Sequence, residues 1–214
     1  MTCITVGCAG WNLRKEFKEH FPSSGTHLRR YAARFNGVEI NSSFYRPHRT
    51  LTYKRWADAT PPDFLFSVKV PKQITHACRL VNAEAHIEQF AIEVSGLGGK
   101  LGALLVQLPP SLSFDNGIAE NFFRALGSRL NAPIVCEPRH ISWFEPDAES
   151  LMWELGIDRV AADPSISPEA GVPGGRMRTI YFRWHGSPRM YYSSYDERAL
   201  ADLSCRLLAA QEWR

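Results

Sequence analysis

The chain has 214 residues, of which 44% are apolar and 22% are charged, with 15 glycines and 14 prolines. This composition is that of a soluble globular protein, and it excludes disordered, collagen-like and coiled-coil proteins. The 25 Lys and Arg residues exceed the 22 Asp and Glu residues by a formal net charge of +3, which is too small to indicate a polyanionic partner by itself.

The five cysteines are scattered and form no C-x-x-C pair: Cys3, Cys8, Cys78, Cys136 and Cys205. An odd number of cysteines without metal-binding spacing is typical of reduced thiols inside a cell, so we predict a cytoplasmic protein. The N-terminal residues lack a signal-peptide pattern, and no run approaches the roughly 18 apolar residues of a membrane span. We expect one domain over residues 1–214, long enough to build a core without disulfides or metals.

Short apolar runs rich in β-branched and aromatic residues predict the strands. They are Cys3–Gly7, Val38–Ile40, Phe64–Val70, Ala103–Leu108, Ile134–Glu137, Arg159–Ala162 and Thr179–Trp184. Segments with helical spacing lie around residues 28–35, 87–97, 122–130, 151–155 and 196–208. This alternation predicts an α/β fold with right-handed βαβ crossovers and a parallel sheet.

Two parallel architectures fit this alternation, a doubly wound sheet and a barrel. The turn Gly7–Trp11 lacks the G-x-G-x-x-G pattern, and its bulky Trp11 would stand where a dinucleotide phosphate approaches the backbone. Polar residues follow nearly every run, as expected at the C-terminal end of a barrel. We therefore predict a TIM-barrel-like parallel (β/α) barrel that lacks its eighth strand. The Pro- and Gly-rich segment 164–175 is either a lid or a plain surface loop.

Side-chain alternation along the predicted strands places polar residues from each strand after the first on a common face. These residues are Glu39, Asn41, Lys69, Gln107, Glu137, Arg139, Asp163, Arg183 and His185. Their three carboxylates balance the three formal cations, so a structural salt-bridge network is one interpretation and an active site is the other. We favour the active site because this end of a barrel is the catalytic end.

The residue types in this ring suit general acid–base chemistry with stabilisation of negative charge. The predicted catalytic residues are Glu39, Glu137, His185 and Asp163. The predicted substrate-binding residues are Trp11, Asn41, Tyr45, Lys69, His76, Gln107, Arg139, His140, Trp143 and Arg183. A divalent metal held by histidines and carboxylates is an alternative that we do not favour, because no H-x-x-x-H spacing occurs and three cations would oppose it. The cofactor requirement stays open.

Six segments occur in an order that resembles the YecE-like family, domain of unknown function 72. The segments are Gly7–Trp11, Val38–Asn41 with Phe44–Tyr45, Phe64–Lys69 with Ile74–His76, Gln107–Pro110, Glu137–His140 with Ser142–Trp143, and Arg183–Gly186. The resemblance implies a TIM-barrel-like fold in an intracellular, mainly microbial protein, with the motif residues lining one pocket. Family members usually continue into a further strand and a closing helix. We therefore expect a gap in the barrel, covered by the terminal helix or by another chain.

The leading functional hypothesis is a hydrolase-type enzyme on a phosphate-bearing or nucleic-acid substrate. A distant likeness of the family's barrel to endonuclease IV and sugar-isomerase barrels implies phosphoester or sugar substrates. One alternative is a sugar-processing enzyme of isomerase or glycosidase type, with Glu39 and Glu137 as its acid–base pair. Another is a non-catalytic nucleotide or nucleic-acid binding module. An open barrel edge would also allow an oligomer.

Overall fold

The computed structural model describes residues 4–211, in which helices and strands alternate as predicted. The strands are β1 (Gly37–Ile40), β2 (Leu65–Lys69), β3 (Leu101–Gln107), β4 (Ile134–Glu137), β5 (Asp158–Arg159), β6 (Ala161–Asp163), β7 (Gly174–Gly175) and β8 (Phe182–Trp184). The α-helices are α1 (His27–Ala32), α2 (Ser42–Tyr45), α3 (Thr50–Asp58), α4 (Glu84–Val94), α5 (Asn116–Arg129), α6 (Pro146–Leu155) and α7 (Glu197–Gln211). Among these residues, no helix has both the length and the apolar character that a membrane crossing requires.

The N-terminal unit comprises Thr5–Val106 and Arg124–Pro133. Its strand β1 pairs in parallel with β2, and β2 pairs in parallel with β3. The apolar side chains of Ile40, Phe66 and Val68 are fully buried, as expected for parallel strands that are covered on both faces. The predicted strands over this part of the chain are confirmed, apart from the first.

The predicted strand Cys3–Gly7 is wrong over residues 4–7, and its first residue lies outside the described residues. The Tyr31 hydroxyl accepts a hydrogen bond from the Cys8 N–H at 2.7 Å and donates one to the Gly37 carbonyl at 3.1 Å. The N–H of Glu39 donates to the Cys8 carbonyl at 3.0 Å. A tyrosine side chain and an isolated backbone bridge therefore hold this segment beside β1, where we expected a continuous strand ladder.

The C-terminal unit comprises Gln107–Phe123 and residues 134–211, with Ile4. Strand β4 pairs in parallel with β5, and β5 pairs antiparallel with β7. The predicted strand Arg159–Ala162 is divided at Val160, because β5 pairs with β4 whereas β6 pairs in parallel with β8. The ladders within each unit do not close on themselves, so the described residues show a mostly parallel α/β fold and no closed barrel. One domain over residues 1–214 stays a prediction.

The segment 164–175 is tethered within the C-terminal unit. The Nη1 atom of Arg159 donates to the carbonyl oxygens of Glu169 and Val172 at 2.5 and 3.1 Å. The Arg206 guanidinium on α7 donates to the Gly171 carbonyl. Two arginines thus bind backbone carbonyl groups of the segment. These contacts favour the surface-loop interpretation over the lid.

Candidate active site

A buried carboxylate stands at the end of β4. Glu137 is 2% exposed, and it accepts from Gln107 Nε2 at 3.0 Å on Oε2. Arg139 donates to Oε1 from Nε at 3.1 Å and from Nη2 at 2.9 Å. Arg183 Nη1 donates to Oε2, and His185 Nε2 lies 3.5 Å from Oε1. We call these five residues the Glu137 cluster.

Strand alternation explains how the chain assembles this cluster. Glu137 and Arg139 are two residues apart at the end of β4, and Arg183 and His185 are two residues apart at the end of β8. Both pairs meet on the side that the sequence predicts. Cys136 points the other way and is completely buried, and this burial raises the pKa of its thiol, which makes it a poor nucleophile.

The charges around Glu137 keep it ionised. Burial by itself would raise the pKa of Glu137, but the hydrogen bond from His185 and the charges of Arg183 and Arg139 outweigh burial and hold the pKa well below its ordinary range. An ionised carboxylate cannot act as an acid at neutral pH. Two guanidinium groups are directed at this one carboxylate. The geometry therefore favours a positioning role for Glu137 beside two arginines.

His185 lies between a proton donor and a proton acceptor. Its Nε2 atom is 3.5 Å from Glu137 Oε1 and 3.4 Å from Arg183 Nη1. A protonated Nε2 can donate to the carboxylate, whereas an unprotonated Nε2 can accept from the guanidinium. Both states of the ring have a partner, which is what a side chain that takes up and releases a proton needs.

Asp163 contacts the His185 backbone and a tyrosine. Its Oδ2 atom accepts a hydrogen bond from the Tyr195 hydroxyl at 2.6 Å, and its carbonyl accepts from the His185 N–H at 2.7 Å. Burial and the hydrogen bond to Asp163 raise the pKa of Tyr195 to about 12, so the phenol stays protonated at neutral pH. Tyr195 is not among the predicted site residues, although it follows the Arg183–Gly186 motif closely in a tyrosine-rich stretch.

Two further predicted binding residues follow β4. His140 Nδ1 accepts from the Ser142 N–H at 3.3 Å and lies 2.9 Å from Ser142 Oγ, and that hydroxyl itself accepts from the Phe114 N–H at 2.7 Å. The neutral imidazole therefore carries its proton on Nε2. Trp143 is only 1% exposed and donates from Nε1 to the Leu112 carbonyl at 2.9 Å. This placement makes Trp143 a core residue in place of the expected substrate-binding role.

In the N-terminal unit, three predicted residues gather around Phe44. Lys69 is 7% exposed, and its Nζ atom lies 4.0 Å from the Phe44 ring centroid. The His76 ring meets Phe44 edge-on at 5.0 Å, as does Tyr45, which is 77% exposed. Ser43 Oγ donates to the Lys69 carbonyl at 2.6 Å and fixes α2 to the end of β2. Phe44 was not among the predicted binding residues.

The other predicted residues of the N-terminal unit lie on or near β1. Glu39 is buried within the strand, and Asn41 follows it with a buried Oδ1 atom that has no hydrogen-bond partner among residues 4–211. Trp11 packs edge-on against Trp56 at 5.0 Å. The predicted ring of polar side chains, which would join Glu39 and Lys69 to the Glu137 cluster, stays a prediction. Over the described range, no group of three or more His, Cys, Asp or Glu side chains is arranged to hold a metal ion.

The segments that build these two sites also relate the chain to known proteins. The sequence profile described as "Protein of unknown function DUF72" matches residues 5–214. The chain belongs to the DUF72 family. The predicted family is therefore confirmed, and its description specifies no reaction.

Similar proteins are longer than this DUF72 chain. The UPF0759 protein YecE of Escherichia coli O157:H7 is 33% identical over 152 residues, which are 71% of this chain and 55% of that protein. YecE of Escherichia coli K12 is 28% identical over 144 residues, which are 64% and 52% of the two proteins. The UPF0759 protein YunF of Bacillus subtilis is 26% identical over 181 residues, which are 79% and 64%. The chain thus spans about half the length of the YecE proteins that it matches.

Two crystal structures of DUF72 family proteins share the fold. The protein from Enterococcus faecalis V583 superimposes with a TM-score of 0.74 at 24% identity, covering 97% of this chain and 85% of that one. The protein from Thermotoga maritima MSB8 also gives 0.74 at 24% identity, covering 97% of this chain and 87% of that one. At this identity the likeness concerns the fold and not the reaction.

Proposed function

We propose that this DUF72 protein is a hydrolase-type enzyme that binds a phosphate-bearing substrate at the Glu137 cluster. The observation that carries the proposal is the convergence of two guanidinium groups and an imidazole on one buried carboxylate. Both guanidinium groups are largely shielded from water, with side chains that are 24% and 7% exposed, and in such surroundings attraction to an anion is stronger than in water. The planar guanidinium group of arginine can donate two parallel hydrogen bonds to the oxygens of a phosphate.

Each member of the cluster then has a distinct role. Glu137 fixes the directions of Arg139 and Arg183, and Arg139, whose side chain is 24% exposed, can reach an incoming anion. When water attacks phosphorus, the bond to the ester oxygen breaks and the leaving oxygen takes a proton. His185 supplies or removes the proton in this step, because its Nε2 has a partner in both protonation states.

We also propose that the strands belong to a TIM-barrel-like (β/α) barrel in a cytoplasmic protein. From β1 to β5, short strands alternate with α-helices, and this alternation supports the barrel. The thiols of Cys8, Cys78, Cys136 and Cys205 are free, which supports a reducing compartment.

Titration calorimetry with inorganic phosphate and ribose 5-phosphate tests the anion site. We expect binding that weakens as salt is added, and a loss of about tenfold or more in Arg139→Ala, because a charge-assisted hydrogen bond contributes about 1.5–3 kcal/mol. Arg198→Ala is the matched control, since Arg198 is an exposed arginine of the same unit. Binding of a neutral sugar alone, unaffected by salt or by Arg139→Ala, would contradict the proposal and favour the sugar-processing alternative.

Hydrolysis of a phosphomonoester tests the proton-transfer role. His185→Gln should retain phosphate binding and lose about 100-fold or more in kcat, because general acid–base catalysis contributes about 10²–10⁴-fold. Phosphate binding without turnover of any phosphoester by the wild-type protein would favour the non-catalytic binding module.

A further inference from the structure

The loop that follows β8 exposes two adjacent aromatic side chains. Tyr191 is 70% exposed and Tyr192 is 76% exposed. We call residues 186–195 the tyrosine loop. The loop begins directly after His185, so its aromatic residues are close in sequence to the proposed proton-transfer residue.

Hydrogen bonds hold the tyrosine loop in a defined shape. The Tyr191 N–H donates to the His185 carbonyl at 2.6 Å, and the Ser193 N–H donates to the Arg189 carbonyl at 2.9 Å. The Arg189 N–H donates in turn to Ser193 Oγ at 3.0 Å. Tyr191 has a φ of 66°, in the left-handed region that a bulky residue rarely adopts. Such backbone strain concentrates at functional sites.

One of the two exposed rings contacts the Glu137 cluster, and the other carries an arginine. The Tyr191 ring lies edge-on to the His185 ring, with centroids 5.7 Å apart and an interplanar angle of 78°. The Arg189 guanidinium covers one face of the Tyr192 ring at 4.4 Å. An aromatic residue and a cation–π pair thus follow directly on the Glu137 cluster.

We propose that the tyrosine loop is a base-stacking subsite, and that the substrate class is nucleotides or single-stranded nucleic acid. This inference rests on the proposed function, since it requires the phosphate to be held by the Glu137 cluster. Tyr191 and Tyr192 offer π faces to a base, and Arg189 adds a cation–π contact. A sugar phosphate has no base to stack on these rings.

Calorimetry with adenosine 5′-monophosphate and ribose 5-phosphate isolates the contribution of the base. We expect the nucleotide to bind at least about fivefold more tightly, and Tyr192→Ala to abolish this advantage, because stacking on one aromatic residue is worth about that much or more. Tyr192→Phe should retain the advantage, since the ring remains. Trp153→Ala is the matched control, because Trp153 is 55% exposed and carries Arg176 over its ring at 4.2 Å.

A short single-stranded oligonucleotide separates the two sources of the base. Tighter and more salt-dependent binding than that of the mononucleotide would assign the subsite to nucleic acid, and equal binding would assign it to free nucleotides. Equal affinities for nucleotide and sugar phosphate, unchanged in Tyr192→Ala, would overturn the subsite and leave the proposed function standing. A nucleotide advantage lost in Trp153→Ala would place the base elsewhere and also overturn the subsite. Failure of all phosphate compounds to bind would refute the proposed function itself.

Discussion

Glu137 shows how one buried side chain organises its neighbours. A buried carboxylate is costly unless it is paired and hydrogen-bonded, and Glu137 has partners from β3, from the segment that follows β4 and from β8 on its two oxygens. Because these partners are cationic or polar donors, its ionised form is the stable one. The same contacts hold Arg139 and Arg183 in fixed directions, which is the preorganisation that the proposed anion site requires.

Glu137→Gln should lower the free energy of unfolding at pH 7 by about 3 kcal/mol, because the buried guanidinium of Arg183 and the half-buried guanidinium of Arg139 lose their counter-charge. The pKa of Glu137 is lowered in the folded protein. Its contribution is therefore complete above the unfolded value of about 4.3 and is lost as the pH falls through the lowered pKa. The difference between wild type and variant should shrink below about pH 4. Urea denaturation over a pH series measures this difference.

Glu154 is an exposed glutamate, and its substitution is the control for this pH series. Glu154→Gln should leave the free energy of unfolding within about 0.5 kcal/mol of wild type at every pH. A Glu137→Gln difference that stays constant from neutral to acid pH would show that the carboxylate charge does not stabilise the fold.

The tyrosine loop depends on the glycine that starts it. Gly186 has a φ of 94°, and a Cβ atom there would lie 2.6 Å from the Ser193 carbonyl oxygen. Gly186→Ala therefore combines backbone strain with a clash against the loop's own backbone. We expect it to lower stability by about 1–3 kcal/mol and to weaken nucleotide binding, because the tyrosines would shift. Thermal denaturation and calorimetry measure the two effects.

Gly10→Ala separates strain from steric clash. Gly10 has a φ of 104°, but nothing lies within 4 Å of the Cβ that would be added. Its cost should be smaller than that of Gly186→Ala, and nucleotide affinity should not change. Equal destabilisation by the two variants would mean that the contact with Ser193 contributes nothing.

For the protein as a whole, we expect association through the edge of β8. Within the described residues, β8 pairs with β6 in a two-stranded sheet. Exposed strand edges favour pairing with a second chain. Light scattering coupled to size-exclusion chromatography should show a mass that rises from 24.2 kDa toward twice that value as concentration increases. A constant monomer mass from low to high micromolar concentration would contradict this expectation.

Local patterns were enough to predict the parallel α/β class and the makeup of the Glu137 cluster. Alternation with a period of two is a property of each strand, so it places Glu137 with Arg139 and Arg183 with His185 without knowledge of the fold. The helical spacing around residues 87–97 and 122–130 predicts α4 and α5 for the same reason.

The remaining features depend on contacts between distant parts of the chain. The break at Val160 arises because β5 and β6 pair with different strands, and the Tyr31 hydroxyl replaces the ladder expected near Cys8. The ionisation of Glu137 depends on burial and on Arg183, which is 46 positions away. The exposure of Tyr191 and Tyr192 likewise follows from how the chain turns back after β8. Strand partners, burial and electrostatic environment are set by long-range packing, which sequence periodicity does not encode.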